Sequence, residues 1–397
     1  MAARKLGVGL ISAGWMGRLH TRAYLALPDK YSDIGVEPEL VVVCDTVEAN
    51  AASFVERYGY RRATADYREV LDDPDVDVVS ICSPNFLHRD FAVAAAAAGK
   101  HFWIEKPMGV SRQQSLEIVE AAQAAGVFTG VGFTYRGSPA VERARQLIDE
   151  GAIGRVTNVH CHLDADYSAD PRAPHTWRYE RERAGTGVLG DLLSHGFDLA
   201  QYLVRSAVDQ VSAITSTFIP QRPQAGQGVG HSAAVADDAP LLPVENEDYA
   251  AVLARFANGV VGTFETSRAC LGSRCDYGID VHGTEGAIRW NFERVNELEV
   301  CSGPRARDYG YTRLMSDSRF GDFGRFQQGA GMGLSFDDLK VIEGSRFARS
   351  VLEGRQVAPS VADGLAAASA AAACDESARS GAWVAVPAPV GVTTFDA

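Results

Sequence analysis

The sequence lacks the features that mark membrane-spanning and extracellular proteins. None of its apolar runs approaches the roughly 20 residues that a membrane-spanning helix requires. The seven cysteines are scattered and include no C-x-x-C pair, which favours reduced thiols in a cytoplasmic protein over a disulfide framework. The basic and apolar start of the chain has no A-x-A-like cleavage site after it, so we predict a buried strand there and not a secretion signal.

Basic charge is also scarce. The chain has 38 Lys and Arg against 51 Asp and Glu, which gives a formal charge of -13. Nucleic acids and anionic membranes bind basic patches, so we expect neither as a partner. The composition, 46% hydrophobic and 22% charged over 397 residues, is ordinary for a globular protein, and the length predicts two domains at roughly 150 residues each.

The first third of the chain alternates short apolar runs with helical patterns. The apolar runs cover 6–12, 40–44, 76–82, 101–104 and 128–133. Strands that are apolar on both faces and separated by helices are typical of a parallel sheet covered on both sides. We therefore predict an α/β Rossmann domain over 1–133, a doubly wound parallel sheet that binds its ligand beyond the carboxyl ends of the strands.

The pattern changes to period-two alternation after about residue 150. Along 156–166, His160 and His162 share one face and Val159 and Cys161 the other. Further strand candidates lie at 252–256, 260–266, 276–282 and 286–291. Two long loops are expected at 220–243 and 303–333. Two final helices are expected at 336–352 and 361–379. Residues 134–397 are therefore predicted to form an α+β domain with a mostly antiparallel sheet.

A glycine-rich turn follows the first strand. Ser12-Ala13-Gly14-Trp15-Met16-Gly17 aligns with the dinucleotide-binding pattern G-x-G-x-x-G, with serine at the first glycine. Gly14 lets the backbone approach a pyrophosphate, Gly17 lets the helix pack closely, and the N–H groups at the helix start bind phosphate charge. Ser12 has to fit the turn at a small cost in strain. Taken alone, the segment leaves open a glycine-rich turn without a ligand.

Asp45 ends the second apolar run. A carboxylate there accepts hydrogen bonds from a ribose diol and repels a 2′-phosphate, which predicts NAD and not NADP as the cofactor. We expect a loop insertion over 29–39 to account for the long spacing from Gly17. A helix N-cap is the other interpretation of Asp45, and the two roles are compatible.

Two segments carry candidate catalytic side chains. Glu105-Lys106-Pro107 follows the fourth apolar run, which places Lys106 at the carboxyl edge of the sheet, and Pro107 favours an extended Lys106. Within 190–198, a rotation of about 100° per residue puts Asp191, His195 and Asp198 on one helical stripe. A carboxylate one turn before a histidine stabilises the imidazolium, so we predict an acid–base pair. A surface lysine and a structural histidine are the alternatives.

Together these motifs resemble the glucose–fructose oxidoreductase / inositol dehydrogenase / MocA family along essentially the whole chain. The resemblance rests on the glycine turn, Ser83-Pro84-Asn85 with His88, Glu105-Lys106-Pro107, Asp191-x-x-x-His195 and Gly283-Thr284-Glu285-Gly286. It implies a Rossmann domain, a second domain with an open-faced sheet, and NAD(P)-dependent oxidation of sugar or cyclitol hydroxyls. It also implies catalytic positions for Lys106, Asp191 and His195, and cofactor contacts from Ser12, Ala13, Gly14, Trp15, Met16, Asp45, Ser83, Asn85, His88, Glu105 and Lys106.

Three segments, 133–136, 166–171 and 176–178, look similar to a subgroup of sugar dehydrogenases like levoglucosan dehydrogenase. They make Tyr135, Arg136, Asp166, Trp177 and Arg178 candidates for binding a small polyhydroxylated substrate. Trp177 is suited to cover a sugar face or the nicotinamide, and the others to bind hydroxyls. Ordinary packing or a surface ion pair is the alternative for each.

The chemistry implied by the resemblance is hydride transfer from a secondary alcohol to nicotinamide. We expect His195 to take the hydroxyl proton, since an unperturbed pKa of about 6.5 suits neutral pH. Lys106 would stabilise the developing alkoxide, and Asp191 would orient His195 or bind a neighbouring hydroxyl. The residue types leave open whether Lys106 or His195 accepts the proton. They also leave open a family member that retains NAD and uses transient oxidation for glycosidic cleavage or epimerisation.

His160-Cys161-His162 with Asp164 invites a metal site. The His160, His162 and Asp164 side chains lie along one polar strand face, which in this family is exposed or in contact with another subunit, and we predict no metal. An open sheet face requires a cover, so we predict a homo-oligomer, a dimer or tetramer.

Overall fold

The computed structural model describes residues 4–226, 234–304 and 306–395, and within them the chain forms two large sheets and a two-stranded one. The strands and helices are, in chain order, β1 (Arg4–Ile11), α1 (Trp15–Lys30), β2 (Val36–Cys44), α2 (Glu48–Tyr58), β3 (Arg62–Thr64), α3 (Arg68–Leu71), β4 (Val78–Ile81), α4 (Asn85–Ala97), β5 (His101–Ile104), α5 (Arg112–Ala125), β6 (Thr129–Val131), α6 (Pro139–Asp149), β7 (Val156–Ala165), α7 (Arg181–Ala184), α8 (Val188–Asp191), α9 (Leu193–Val204), β8 (Val208–Ser216), β9 (Gln221–Pro223), β10 (Leu241–Pro243), β11 (Tyr249–Phe256), β12 (Val261–Ser267), β13 (Cys275–Gly283), β14 (Ala287–Asn291), β15 (Glu297–Cys301), α10 (Ala306–Tyr309), β16 (Thr312–Met315), α11 (Phe323–Phe326), α12 (Phe336–Glu353), α13 (Val361–Ser380) and β17 (Val384–Ala385).

The first sheet has the order β3-β2-β1-β4-β5-β6, and every described pair in it is parallel. Val8, Val42 and Val79 are fully buried, as expected of strands covered on both faces. The Rossmann prediction is confirmed. The loop insertion expected over 29–39 is wrong, because α1 continues to Lys30, a 3-10 turn follows, and β2 already begins at Val36.

Helix α12 returns from the far end of the chain to cover the first sheet. Its Phe347 and Ala348 share a buried cluster with Val8, Ala23 and Trp103. The space between the two layers is small, since a Cβ added at Gly344 would lie 3.2 Å from Ala23 and from Trp103. Helix α12 therefore completes the core that the first 133 residues begin, and the boundary at residue 133 stays a prediction.

The second sheet has the order β16-β15-β14-β13-β7-β12-β11-β8-β17. Only the β7–β12 pair is parallel among its described pairs, so the mostly antiparallel sheet is confirmed. On β7, Val159, Cys161 and Leu163 are buried, whereas His160 is exposed and His162 half-buried. One face of the sheet is thus packed and the other is open. Strands β8 and β15–β17 were not predicted.

Candidate active site

The glycine turn between β1 and α1 has the geometry of a phosphate-binding loop. Ser12 adopts a left-handed conformation with φ of 79°, which for a residue with a Cβ costs about 1–2 kcal/mol. A Cβ at Gly17 would lie 2.4 Å from the Ser12 carbonyl oxygen, whereas one at Gly14 would meet nothing within 4 Å. The space beside Gly14 is therefore free for a ligand, while Gly17 is needed for helix packing.

The first turn of α1 keeps its backbone N–H groups available. Gly14 is the N-cap residue, and no described side chain caps it. Free N–H groups at the start of a 16-residue helix attract phosphate charge. Trp15 is exposed and stacks on Phe336 at 6.0 Å between ring centroids, and Met16 is half-buried. These features fit the pyrophosphate of a dinucleotide.

Asp45 fastens this turn to the end of β2. One carboxylate oxygen accepts the N–H of Ala13 at 2.8 Å and the other accepts the N–H of Val47 at 2.9 Å. Helix α2 has Val47 at its N-cap, without a side-chain hydrogen bond, so Asp45 is not the cap of α2. The carboxylate lies half-buried beside the turn.

The segment after β4 forms a second part of this edge. Asn85 begins α4, and the buried Ser83 hydroxyl has no hydrogen-bond partner among the described groups. The His88 ring lies between the carbonyl oxygens of Ser83 and Pro107, each 2.8 Å from a ring nitrogen. Burial lowers the pKa of His88, and the ring joins the two loops that border the carboxyl edge of the sheet.

Lys106 extends from the end of β5 to Asp191 at the end of α8. Its Nζ donates to the backbone oxygen of Asp191 at 2.6 Å and to Oδ1 at 3.0 Å, while the Tyr167 hydroxyl donates to Oδ2 at 2.8 Å. Burial acts to raise the pKa of Asp191, but the charges of Lys106 and Arg178 and the hydrogen bonds outweigh it and hold that pKa well below its usual range. Asp191 is therefore a carboxylate.

His195 lies on α9, next to this pair. Its ring packs edge-on against Tyr135 at 4.8 Å, and its buried Nδ1 has no hydrogen-bond partner among the described residues. Burial, reinforced by the positive charge of Lys106, lowers the pKa of His195 well below its ordinary value. The imidazole is therefore neutral at pH 7, and it is a weaker base than the ordinary pKa of 6.5 led us to expect.

The expected helical stripe of Asp191, His195 and Asp198 is wrong. Helix α8 ends at Asp191 and α9 begins at Leu193, so the three residues do not share one helix. Asp198 binds the Arg136 guanidinium with both oxygens, at 2.5 and 2.8 Å. Asp191 accordingly pairs with Lys106 and Tyr167.

The substrate candidates separate into two groups. Arg136 is buried and its guanidinium is bonded to Asp198, Asp363 and Thr394. The structure therefore does not bring it to the space around Lys106 and Asp191, which we call the cleft. Tyr135, by contrast, packs on the His195 ring.

The other candidates lie on the segment before α7. The Trp177 ring contacts the Phe86 ring of α4 at 5.8 Å between centroids, so the segment before α7 touches the first domain here. The Arg178 guanidinium lies over the Trp177 ring at 4.4 Å. Asp166 pairs with Arg274 at 2.7 Å. Arg178 lies close enough to Asp191 for its charge to act on the pKa of that carboxylate.

Two placements differ from what the motifs suggested. The Glu105 carboxylate is buried between His20 and Lys340, at 3.0 and 2.5 Å, and not in the cleft. Tyr167, which binds Asp191, was not singled out. The period-two pattern of β7 could have indicated it. Leu163 and Ala165 occupy the buried face of the strand, and the next position of that face after them is residue 167.

The polar face of β7 is used for hydrogen bonds within the sheet. His160 contacts Thr263 at 2.6 Å and His162 contacts Asp276 at 3.1 Å. Throughout the described ranges, no three His, Cys, Asp or Glu side chains are grouped to hold a metal ion. All seven cysteines fall within these ranges and are free thiols. The helices that the structure describes include none that is both long and apolar enough to cross a membrane.

Comparison with known proteins identifies the family. Residues 6–133 match the model of the oxidoreductase family with an NAD-binding Rossmann fold, and residues 141–289 match the GFO/IDH/MocA C-terminal domain. Levoglucosan dehydrogenase from Pseudarthrobacter phenanthrenivorans is 37% identical over 97% of this chain and 99% of that protein. Inositol 2-dehydrogenase from Rhizobium meliloti is 28% identical over 90% and 92%.

Solved structures agree with this relationship. A levoglucosan dehydrogenase in complex with NADH and levoglucosan superimposes with a TM-score of 0.89 at 36% identity, covering 97% of this chain and all of that one. An NAD-binding oxidoreductase from Klebsiella pneumoniae gives 0.89 at 34% identity over 97% and 99%. With its fold, its phosphate-binding turn and matches to both domain models, the chain belongs to the GFO/IDH/MocA family of NAD-binding oxidoreductases.

Proposed function

We propose that this enzyme oxidises a secondary hydroxyl of a sugar, anhydrosugar or cyclitol to the ketone, with His195 as the base and with Lys106 and Asp191 assisting. One observation carries the proposal. Lys106, at the end of the first sheet, meets Asp191 and the adjacent His195 of the second domain, and His195 keeps a ring nitrogen without a partner among the described residues.

Each of the three side chains has a distinct task in this proposal. Neutral His195 accepts the proton from the substrate hydroxyl. Lys106 places positive charge beside the oxygen as it becomes an alkoxide. Asp191, held by Tyr167, fixes the Lys106 ammonium, to which it is hydrogen-bonded. Bound NAD supplies the acceptor for the hydride.

The charges around the turn favour NAD over NADP. The half-buried Asp45 carboxylate at the end of β2 would repel a 2′-phosphate. Its hydrogen bonds to Ala13 and Val47 keep it beside the phosphate-binding turn. The relative named levoglucosan dehydrogenase, solved with NADH and levoglucosan, makes anhydrosugars the first substrates to test. Trp177, Arg178, Tyr135 and Asp166 are the proposed substrate contacts.

The decisive experiment is a panel of pyranoses, anhydrosugars and inositols, with NAD and NADP side by side. We expect NADH formation on at least one member, faster than NADPH formation, and its loss in Lys106→Ala and His195→Ala. Lys5→Ala is the matched control, because the Lys5 side chain is 71% exposed on the first strand. Full activity in both site variants would refute the assignment.

The retained-cofactor alternative gives a different result in the same panel. Protein that is purified with NAD bound, and that converts a sugar without net NADH release, would replace the dehydrogenase proposal by glycosidic cleavage or epimerisation. We also propose a cytoplasmic location and a homo-oligomer, a dimer or tetramer, that covers the open face of the second sheet. Monomers in light scattering would contradict the assembly.

A further inference from the structure

A buried charged cluster lies directly behind Lys106, and neither domain forms it alone. Helix α12 supplies Lys340 and Glu343, which are 1% and 3% exposed, and Glu105 directly follows the end of β5. Lys340 Nζ lies 2.5 Å from Glu105 Oε1 and 3.0 Å from Glu343 Oε2. Charges at such depth are expensive unless they are paired, so the fold is built to keep these three together.

The cluster is held on every side by hydrogen bonds. Glu343 accepts from Trp103 at 2.6 Å and from Thr134 at 2.7 Å. His20 of α1 lies 3.0 Å from Glu105 Oε1, the same oxygen that Lys340 contacts. Burial lowers the pKa of His20 to about 4, which leaves Lys340 as the cation of the cluster.

Glu105 is tightly enclosed at this position. A Cβ at Gly132 would lie 2.5 Å from its carboxylate, so the neighbouring strand end closes over it. Burial acts to raise the pKa of Glu105, but the charge of Lys340 and the hydrogen bonds from His20 and Lys340 together outweigh it and hold that pKa well below its usual range. The Glu105 carboxylate is therefore a fixed anion.

The fixed carboxylate is covalently next to Lys106 and also contacts it. Glu105 Oε2 accepts the backbone N–H of Lys106 at 3.3 Å. Side chains of successive extended residues point to opposite sides. Anchoring Glu105 inward therefore directs Lys106 outward, toward Asp191 at 3.0 Å.

We propose that Lys340 is a positioning residue for the reaction: by holding Glu105 it fixes the backbone from which Lys106 reaches Asp191 and the substrate. The inference rests on the proposed role of Lys106. Lys340 is 235 residues from Glu105 in sequence. The proposal therefore makes helix α12 part of the catalytic apparatus, although it does not touch the substrate.

The test reads the mobility of Lys106 without relying on activity. The lysines of the chain are Lys5, Lys30, Lys100, Lys106 and Lys340, so acetylation by acetic anhydride can be followed for each by peptide mass spectrometry. In Lys340→Met we expect Lys106 to react roughly tenfold faster, because its charge-assisted hydrogen bonds to Asp191 weaken. The rates of exposed Lys5 and of Lys100, which is bonded to two carbonyl oxygens, should stay unchanged.

A second variant keeps the test decisive if Lys340→Met does not fold. Glu105→Gln preserves the shape of the side chain and removes the charge that Lys340 holds, and it should free Lys106 in the same way. An unchanged Lys106 rate in the folded variant, or a rate that rises together with that of Lys100, would overturn the proposal, since the cluster would then act only on global stability.

Kinetics supply the second readout. In Lys340→Met we expect kcat to fall on the order of 100-fold, since a misplacement of Lys106 by about 1 Å costs that much. The KM for NAD should change little. The charges that act on the pKa of His195 belong to Lys106, Glu105, Lys340 and Asp191. Removing Lys340's charge should therefore move the acid limb of kcat/KM to higher pH, and Glu105→Gln should move it to lower pH.

The two proposals fail separately. A wild-type enzyme that oxidises no sugar refutes the proposed function, whereas the acetylation result still decides whether Lys340 fixes Lys106. A wild-type dehydrogenase with unchanged Lys106 acetylation in both variants refutes the positioning role alone.

Discussion

Two ion pairs flank the break between α8 and α9, and they differ in burial. Lys106 and Asp191 are 17% and 32% exposed, at the edge of the cleft. Arg136 and Asp198 are 2% and 3% exposed, inside the second domain. Both pairs join a cation from the segment around 106–136 to a carboxylate only a few residues from His195.

The environments give the two carboxylates opposite properties. The cations Lys106 and Arg178 outweigh burial at Asp191 and lower its pKa. At Asp198, burial outweighs the Arg136 charge and raises the pKa to about 7. The partly exposed pair remains charged, whereas the interior pair is enclosed in the second domain.

The largest effect is expected from breaking the interior pair. Arg136→Met leaves Asp198 and Asp363 buried without their cation and should cost about 3–5 kcal/mol in the free energy of unfolding. Urea denaturation measures this. Arg274→Met is the control, since its 85% exposed side chain should contribute about 1 kcal/mol or less to stability. Equal losses in the free energy of unfolding in the two variants would contradict the difference between the buried and the exposed pair.

Lys106→Ala should show the reverse behaviour. Loss of the cation beside the alkoxide should lower kcat/KM about 10²–10³-fold, while the free energy of unfolding should fall by less than in Arg136→Met, because Lys106 and Asp191 are partly exposed. Steady-state kinetics and urea denaturation of the same preparation check both parts. A variant that is destabilised as strongly as Arg136→Met would show that Lys106 serves the fold.

Stability against pH separates the two carboxylates. Because the folded pKa of Asp198 is raised from 3.8 to about 7, its contribution is complete below pH 3.8 and is lost as the pH rises to 7. Asp198→Asn lacks this loss, so its stability relative to wild type should rise between pH 4 and 7. Asp191→Asn should run parallel to wild type there, since its lowered pKa moves its titration below pH 4. Urea denaturation of the three proteins between pH 4 and 7 measures these differences in the free energy of unfolding.

The smallest effect is expected at Tyr167. Tyr167→Phe removes the hydrogen bond to Asp191 Oδ2 and should lower kcat roughly tenfold, since hydrogen bonds to charged groups contribute about 1.5–3 kcal/mol. Tyr249→Phe removes a similar bond to the exposed Glu265 and should leave kcat unchanged. If the two variants behave alike, Asp191 does not depend on Tyr167.

The sequence predicted what depends on local patterns. Strands buried on both faces gave the first sheet, and period-two alternation gave β7 and β11–β14. The short strands β15 and β16 were not predicted, because five and four residues show little alternation. The break at Leu192 was missed since helical periodicity continues across it.

The site was predicted less completely, because its contacts join distant segments. Lys106, Asp191 and His195 were placed through motifs and a family resemblance. Nothing local shows that Arg136 is buried, as arginine is usually exposed, or that Lys340 reaches Glu105. Long-range pairing of charges becomes visible only in the folded chain.

The most direct test of the central claim is a crystal structure with NADH and a substrate found in the panel. The account predicts that one substrate hydroxyl lies about 3 Å from both Lys106 Nζ and a His195 ring nitrogen, the distance of a hydrogen bond. A hydroxyl at the nicotinamide that contacts neither side chain would contradict it.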